Sequence, residues 1–463
     1  MKRLSILFFG LFLFCESNIG YAQRPNITVT KFRDSAMASA WCPYDSTLVA
    51  YNLVRPDGYY KIYTAHVGPG NSFVSEQCFN CLNASLPTKN FAQPCFQPTG
   101  RYMLFMAEKQ VHSGVSSYCI PGIGLYNDLY VMTMDGRKAY RLTTTPSSGM
   151  SAMIEPYFNP KGNEIMWASM TAAASGAGKQ AFGYWVINIA PFIDDTINGP
   201  YIDSTHIRTI MPGGVSAFNE PYGWSPDGSK ILFASDYNQL WVWDDQIYTC
   251  DTLGNNIEQM TSTAHSYPYC EHGFYSPDGK HIVWMTDLDN KAGASKGGDD
   301  WFIMNSDTTD QERLTYFNDS TSSYWTGSIH VNCHGSYCSD NKRFIGDVGG
   351  SEPVQVNYDS SLGALYIINT ASVTGIATVV QPGSISCNLY PNPASTSITI
   401  EINTNGYNLH YAIYTIVGNK IAESLFTGKS NIIDVSTLPD GIYFLKISNQ
   451  NSAITQKFVV QGK

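Results

Sequence analysis

Apolar runs of five or six residues recur along the chain, each preceded by an aromatic residue and a polar turn. The runs are TLVAY from Thr47, YMLFM from Tyr102, EIMWAS from Glu164, KILFAS from Lys230, HIVWMT from His281 and RFIGD from Arg343. The turns before them read Trp41-Cys-Pro-Tyr-Asp-Ser, Phe96-Gln-Pro-Thr-Gly-Arg, Phe158-Asn-Pro-Lys-Gly-Asn, Trp224-Ser-Pro-Asp-Gly-Ser, Tyr275-Ser-Pro-Asp-Gly-Lys and Tyr337-Cys-Ser-Asp-Asn-Lys. Runs this short, bounded by turn residues, predict strands. Pro presets φ at the first central turn position, and Gly or Asn supplies the left-handed residue that reverses the chain. Each unit therefore predicts strand, tight turn, strand.

The turn positions Pro43, Pro98, Pro160, Pro226, Pro277 and Ser339 are spaced 51 to 66 residues apart. That suits a four-stranded blade with loop insertions. A third strand is predicted at Asp128-Leu-Tyr-Val-Met, Tyr184-Trp-Val-Ile, Leu240-Trp-Val-Trp, Trp301-Phe-Ile-Met and Leu365-Tyr-Ile-Ile. Short closing strands follow at Arg141–Thr143, Met260–Thr261 and Arg313–Thr315. Few segments hold a helical period over three turns. The last blade lacks an outer strand, and the alternating residues 27–32 could supply it and close a ring. A seventh, degenerate blade inside the longer intervals stays open.

The aromatic-Ser-Pro-Asp-Gly-Lys-x-Ile units, clearest at Trp224–Ser235 and Tyr275–Thr286, resemble the β-propeller repeats of the TolB family. That resemblance implies a six-bladed propeller over residues 25–370. The expected fold class is all-β: a six-bladed β-propeller followed by a small C-terminal β-sandwich.

Both ends of the chain read as addresses. Lys2 and Arg3 precede an apolar run from Ile6 to Phe14, with small residues Gly20 and Ala22 before a cut. Residues 1–22 are expected to be a secretory signal peptide, too short for a membrane span. Residues 371–384 form a Gln-Pro-Gly-Ser linker. Residues 385–463 alternate apolar and polar positions, with turns at Gly418-Asn419 and Asp440-Gly441, as in a small sandwich. Tyr390-Pro-Asn-Pro393, Val417-Gly-Asn-Lys420, Leu438-Pro-Asp-Gly-Ile-Tyr-Phe444 and Lys457-Phe-Val-Val460 resemble the C-terminal sorting domain of type IX secretion cargo from Bacteroidetes. That resemblance implies the type IX machinery as partner, periplasmic transit, and release or attachment at the outer surface.

Composition narrows the partners. A net charge of −10 argues against nucleic acid and anionic lipid, since both call for a basic face. No other apolar stretch is long enough to cross a bilayer. Ten of the 11 cysteines follow the signal segment, and an even number in an exported chain suggests disulfides of unknown connectivity. Cys78-Phe-Asn-Cys81 has C-x-x-C spacing, but its polar flanks fit a loop with a local or neighbouring disulfide better than a redox helix.

In a propeller the first strand of each blade lines the central channel. Glu155, Glu220, Glu271, His272 and His334 precede the aromatic turns at nearly equivalent positions in four blades. His330 and His265 lie one strand length away. Convergent carboxylates and imidazoles could bind a divalent cation, a cationic group or a sugar, or could simply hydrate the channel and hydrogen-bond blade backbones. The stretch Glu271-His-Gly-Phe-Tyr-Ser-Pro followed by His330-Val-Asn-Cys-His334 also resembles oligogalacturonate lyases. That resemblance would make His272, His330 and His334 metal ligands, although Asn332 and Cys333 depart from the pattern and no base or arginine is assured.

Two further motifs fall in one polar loop. Gly293-Ala-Ser295-Lys-Gly297 has nucleophile-elbow spacing without the strand and helix that motif needs. Asp287, Asp289, Asp299 and Asp300 could hold Ca²⁺ but lack EF-hand spacing, so a solvated turn is the expectation. The sequence supports an exported binding or scaffold module for a protein or glycan ligand. The alternative is a metal-dependent polysaccharide lyase.

Overall fold

The computed structural model describes residues 27–81, 83–149, 151–173, 183–238, 245–261, 269–288, 298–325, 330–349, 363–370, 387–402, 409–415, 419–425, 430–448 and 453–462. Residues 1–22, expected as a signal segment, the whole linker 371–384, His265, Asp289 and the Gly293–Gly297 motif lie outside them. The chain divides into two compact units, residues 1–372 and 373–463.

Among the described residues, six antiparallel sheets follow one another in the first unit. Sheets 1 to 6 open with the strands Ala36–Trp41, Phe91–Phe96, Met153–Phe158, Asn219–Trp224, Cys270–Tyr275 and Asn332–Tyr337. Sheets 1 to 5 continue outward in chain order, and sheet 3 carries a fifth strand. Sheet 6 is completed by the N-terminal strand Thr28–Asp34, which pairs with Ala364–Asn369. The opening strand of each sheet packs on that of the next, and Asn332–Tyr337 packs back on Ala36–Trp41. The described sheets thus form a closed propeller ring.

The ring explains the continuous apolar runs. A second strand has both faces covered, by its neighbours on either side, so it does not alternate. Leu232 and Ala234 of sheet 4 pack with Ile282, Trp284 and Phe302 of sheet 5. Ile231 and Phe233 of the same strand pack with Met166 and Ile187 of sheet 3.

The turns follow the sequence chemistry. In the sheet 4 turn, Gly228 has φ 75° and donates its N–H to Ser225 O at 2.8 Å. The Asp227 carboxylate accepts from Ser225 Oγ at 2.5 Å and Ser229 N at 3.0 Å. Sheet 5 repeats the device with Ser276, Asp278 and Gly279.

The Arg-Leu-Thr motifs are clasps as much as strands. Arg313 Nη2 pairs with Asp300 Oδ2 at 2.7 Å, while its Nε donates to Thr315 O at 2.8 Å. Thr315 Oγ1 accepts from Trp301 N at 2.9 Å and donates to Asp300 Oδ1 at 2.7 Å. Arg141, Thr143 and Asp128 repeat this in sheet 2. Asp300 is therefore committed to fixing the edge of sheet 5 and not to calcium. The paired outer strands end earlier than expected, at Arg141, Gln259 and Arg313. The third strand of sheet 4 is Gln246–Asp251; the run at 240–243, expected there, lies outside the described residues.

The local disulfide expected at Cys78-Phe-Asn-Cys81 is present, but pairing does not extend to the other described cysteines of the first unit. Cys78 and Cys81 are bonded, but Cys42, Cys95, Cys119, Cys250, Cys270, Cys333 and Cys338 are free thiols. Cys42, Cys250, Cys270 and Cys338 sit in four different inter-sheet cores, where a thiol packs as a small apolar group.

In the second unit, Cys387–Tyr390, Ser397–Ile402 and Ser430–Asp434 form one sheet. Lys420–Leu425, His410–Thr415, Gly441–Ser448 and Ala453–Val460 form the other. Ile398, Ile400 and Ile433 of the first pack with Ile413, Leu445 and Phe458 of the second, giving a small sandwich.

Candidate functional site

Each opening strand carries a bulge three residues before its turn aromatic. The register with the second strand shifts there in all six sheets. The bulge residue has positive φ in five of them: Ala38 51°, Gln93 51°, Glu155 54°, His272 49° and His334 35°. A non-glycine residue held there costs about 1–3 kcal/mol, and such strain gathers at functional sites. In sheet 4 the position is Pro221, whose ring fixes φ negative. The positive φ moves to Gly223, at 107°, and Glu220 supplies the carboxylate from the preceding residue.

These side chains meet although their sheets are far apart in sequence. His334 Nε2 lies 2.8 Å from Glu155 Oε1 and 2.9 Å from Gln93 Nε2, and the Gln93 amide also donates to Glu155 Oε1. Gln93 Oε1 accepts from Glu155 N at 2.9 Å, so the amide is held at both ends. Tyr157 Oη donates to Glu155 Oε2 at 2.5 Å, and Tyr222 Oη donates to Glu220 Oε2 at 2.7 Å. The rings of His272 and His334 have centroids 4.7 Å apart, and Tyr222 packs on His272 at 5.3 Å. Asp347 Oδ2 approaches His334 Nδ1 at 3.7 Å, an ion-pair distance.

Glu220, Glu271 and His272 form the second half of the cluster. All three are buried, and one ligating atom from each lies within 4.8 Å of the others. Glu271 Oε1 and His272 Nδ1 have no hydrogen-bond partner among the described residues. Two carboxylates and an imidazole at that spacing can reach one divalent ion at bond lengths of about 2.0–2.6 Å.

The electrostatics are strained. Burial, then the Glu155 carboxylate, pushes Glu220 up to about 8. Burial, then Glu220 and Asp245, holds Glu271 well above the usual carboxylate range. Burial, reinforced by His334, holds His272 well below the usual imidazole range. Burial also opposes a charge on His334, but Glu155 and Asp347 overcome it and hold that imidazole well above its ordinary value. The site thus combines buried carboxylates short of positive charge with a neutral imidazole.

A cavity of about 320 Å³ opens above the cluster. Gln93, Glu155, Tyr157, Tyr222 and His334 line it, and so do the turn aromatics of all six sheets. The turns therefore share one face, and the channel mouth is an aromatic collar over a polar floor.

Of the residues expected from sequence, Glu155, Glu220, Glu271, His272 and His334 come together. His330 is buried with Nδ1 at 2.7 Å from Gly349 O and its ring against Phe317. Sequence reading passed over Gln93, Tyr157, Tyr222 and Asp347. Gln93 was findable, since it stands three residues before Phe96 as Glu155 does before Phe158. Asp347 was not, because it comes from a second strand.

Residues 388–461 match the family model of the secretion system C-terminal sorting domain. Among solved structures, prolyl oligopeptidase B from Galerina marginata is 9% identical, with a TM-score of 0.40, over 79% of this chain and 46% of that one. This chain spans less than half the length of that enzyme. An oligogalacturonate lyase from Vibrio parahaemolyticus is 11% identical, TM-score 0.38, over 74% and 91%. PorZ, a surface component of the type IX secretion system of Porphyromonas gingivalis, is 10% identical, TM-score 0.36, over 90% and 59%. Among the described residues no helix is long and apolar enough to cross a membrane. The chain ends in a secretion-system sorting domain, and the protein is secreted or held at the outer cell surface after passing through the periplasm.

Proposed function

We propose that the protein is an exported binding module with TolB-like propeller repeats, delivered by the type IX machinery through residues 385–463. Its ligand is a protein segment or a glycan, taken at the channel mouth. A divalent cation is held by Glu220, Glu271 and His272, which adjoin the lining residues Tyr222 and His334. The observation that carries this is the convergence of three buried ligating atoms within 4.8 Å, two of the residues bearing unpartnered polar atoms. A bound cation would neutralise the paired carboxylates and leave His334, Glu155 and Gln93 to face a polar ligand group. The collar of six aromatics suits stacking against a sugar ring or an apolar side chain.

The test is calorimetric titration of the mature protein with Mn²⁺, Zn²⁺ and Ca²⁺, compared with Glu271→Gln plus His272→Ala. One ion more bound per native chain than by the variant supports the site. Equal binding, or none in either, returns these residues to lining the channel.

A second reading, a metal-dependent polysaccharide lyase, draws on the contact between His272 and His334. In such a lyase the metal acidifies the proton beside a uronate carboxyl and a base removes it. A chelator-sensitive rise in ultraviolet absorbance on polygalacturonate would favour it; no rise leaves the binding module.

A further inference from the structure

Away from the channel, Glu108 at the end of the second strand of sheet 2 meets the loop that follows it. Glu108 Oε1 lies 2.8 Å from His112 Nε2, and Cys119 Sγ lies 3.9 Å from the same nitrogen. One ligating atom from each residue falls within 4.8 Å of the others. The side chains of Glu108 and His112 are 0% and 3% exposed, and Cys119 is fully buried.

Two uses of a cysteine, a histidine and a carboxylate differ in geometry. A nucleophilic relay needs both imidazole nitrogens, one towards the thiol and one towards the acid. Here one nitrogen faces both, so the three donors converge on a point. Full burial also denies the thiol a substrate. Convergence of a thiol, an imidazole and a carboxylate on one point is what a metal ion requires, and this donor set suits Zn²⁺.

The surroundings orient the donors. Asn90 N and Nδ2 donate to Glu108 Oε2 at 3.1 and 2.7 Å, and Ser116 Oγ donates to Oε1 at 2.5 Å, so the carboxylate is fixed with Oε1 towards the cluster. Tyr126 stacks on His112 with centroids 4.7 Å apart. Such outer partners fix ligand orientation in metal sites. Asn90 Nδ2 donating to Ser116 O at 3.0 Å and Asn127 Nδ2 donating to Cys119 O at 3.2 Å hold the loop in place around the donors, while Val111 and Val115 are exposed. Lys89 Nζ, 3.5 Å from Glu108 Oε1 and 3.2 Å from Ser116 Oγ, neutralises the carboxylate without an ion.

We propose that Glu108, His112 and Cys119 form a zinc-type site that pins this loop to sheet 2. On binding, the thiol proton leaves to solvent and the thiolate, neutral imidazole and carboxylate occupy three positions. The site shares no ligand with the channel cluster, so either can fail without the other.

The test is Co²⁺ titration of the chelator-stripped mature protein, followed by absorption. The expected result is a thiolate-to-cobalt charge-transfer band saturating at one ion, bleached by Zn²⁺. The band should be absent in Cys119→Ser and present in His272→Ala. Glu108→Gln, which keeps the thiol, covers the case in which Cys119→Ser does not fold. It should weaken binding by more than about tenfold, since even outer partners are worth that much. No band in the native protein, an unchanged band in Cys119→Ser, full affinity in Glu108→Gln, or a band lost in His272→Ala would each overturn the proposal.

Discussion

His272 and His334 stand with ring centroids 4.7 Å apart, yet one is held neutral and the other charged. The difference lies in their partners. His334 has Glu155 Oε1 2.8 Å from Nε2 and Asp347 3.7 Å from Nδ1, whereas His272 has a single carboxylate, Glu271, at 3.7 Å and the His334 imidazole beside it. The proton is thus favoured on His334, and His272 keeps a lone pair for a ligand.

That asymmetry sets a pH dependence for the metal-free protein. Glu220, raised from 4.5 to about 8, and Glu271, raised with it, hold protons in the folded state that the unfolded chain releases. His334, raised above 6.5, does the same. Their stabilisation is lost as pH rises through the folded values. His272, lowered, works the other way, but only below its unfolded value of 6.5. Between pH 6.5 and 8 the falling contributions therefore stand alone, at up to about 1.4 kcal/mol per pH unit for each proton. Urea unfolding in chelator should show stability dropping across this window, and Glu220→Gln should flatten the drop. A stability that rises from pH 6.5 to 8 would contradict the buried acids.

The backbone beside His334 offers a steric test. A Cβ on Gly335 would fall 2.1 Å from Phe274 Cε1, and Phe274 is wedged against Trp301, Tyr337 and Phe344. Those three rings limit how far the Phe274 ring can yield. Gly335→Ala should destabilise the first unit by about 1–3 kcal/mol, as overpacking does. It should also weaken divalent-cation binding at the channel by disturbing the adjacent His334. Denaturant midpoints and calorimetry on the same variant check both, and an unchanged midpoint would mean that the strand can shift.

Export should be separable from folding. The sandwich core of Ile398, Ile400, Leu445, Ile447 and Phe458 draws only on residues of the second unit. A chain ending at residue 384 should keep a native near-ultraviolet spectrum but accumulate in the periplasm. Its appearance outside the cell in normal amount would show that residues 388–461 are dispensable for delivery.

The repeat was legible because each sheet solves the same local problem with the same chemistry. Pro or Ser, then Asp and Gly or Asn, make the turn, and a strand covered on both faces must be apolar throughout. The axial acids and imidazoles were legible for the same reason, being polar exceptions at a repeated position. What escaped was set by three-dimensional neighbours. Asp347 reaches His334 from a second strand, and nothing near it in sequence marks it. The free thiols misled because a cysteine packed as an apolar group has the same letter as one in a disulfide. Glu108 ends a second strand, and His112 and Cys119 lie in the irregular loop after it, with no repeat against which to compare them.

The ring is fastened where its two ends meet. Thr28–Asp34 pairs with Ala364–Asn369, and Phe32, 5% exposed, enters the core shared by Val49 and Tyr51 of sheet 1 with Ile345, Leu365 and Ile367 of sheet 6. Arg33 adds a two-pronged ion pair to Glu76 at 3.0 and 3.1 Å, and Tyr51 Oη donates to the same carboxylate at 2.5 Å. This seam differs from the others because its outer strand comes from the opposite end of the unit. Phe32→Ala should cost about 3–5 kcal/mol, the usual penalty for emptying an aromatic site. Lys31→Ala, an exposed neighbour on the same strand, should change stability by no more than about 0.5 kcal/mol. If the seam closes the ring, Phe32→Ala should lower the single thermal transition of the whole first unit and not create a separate early one. A small early transition, with the main one unmoved, would show that the strand frays independently and that the ring holds without it.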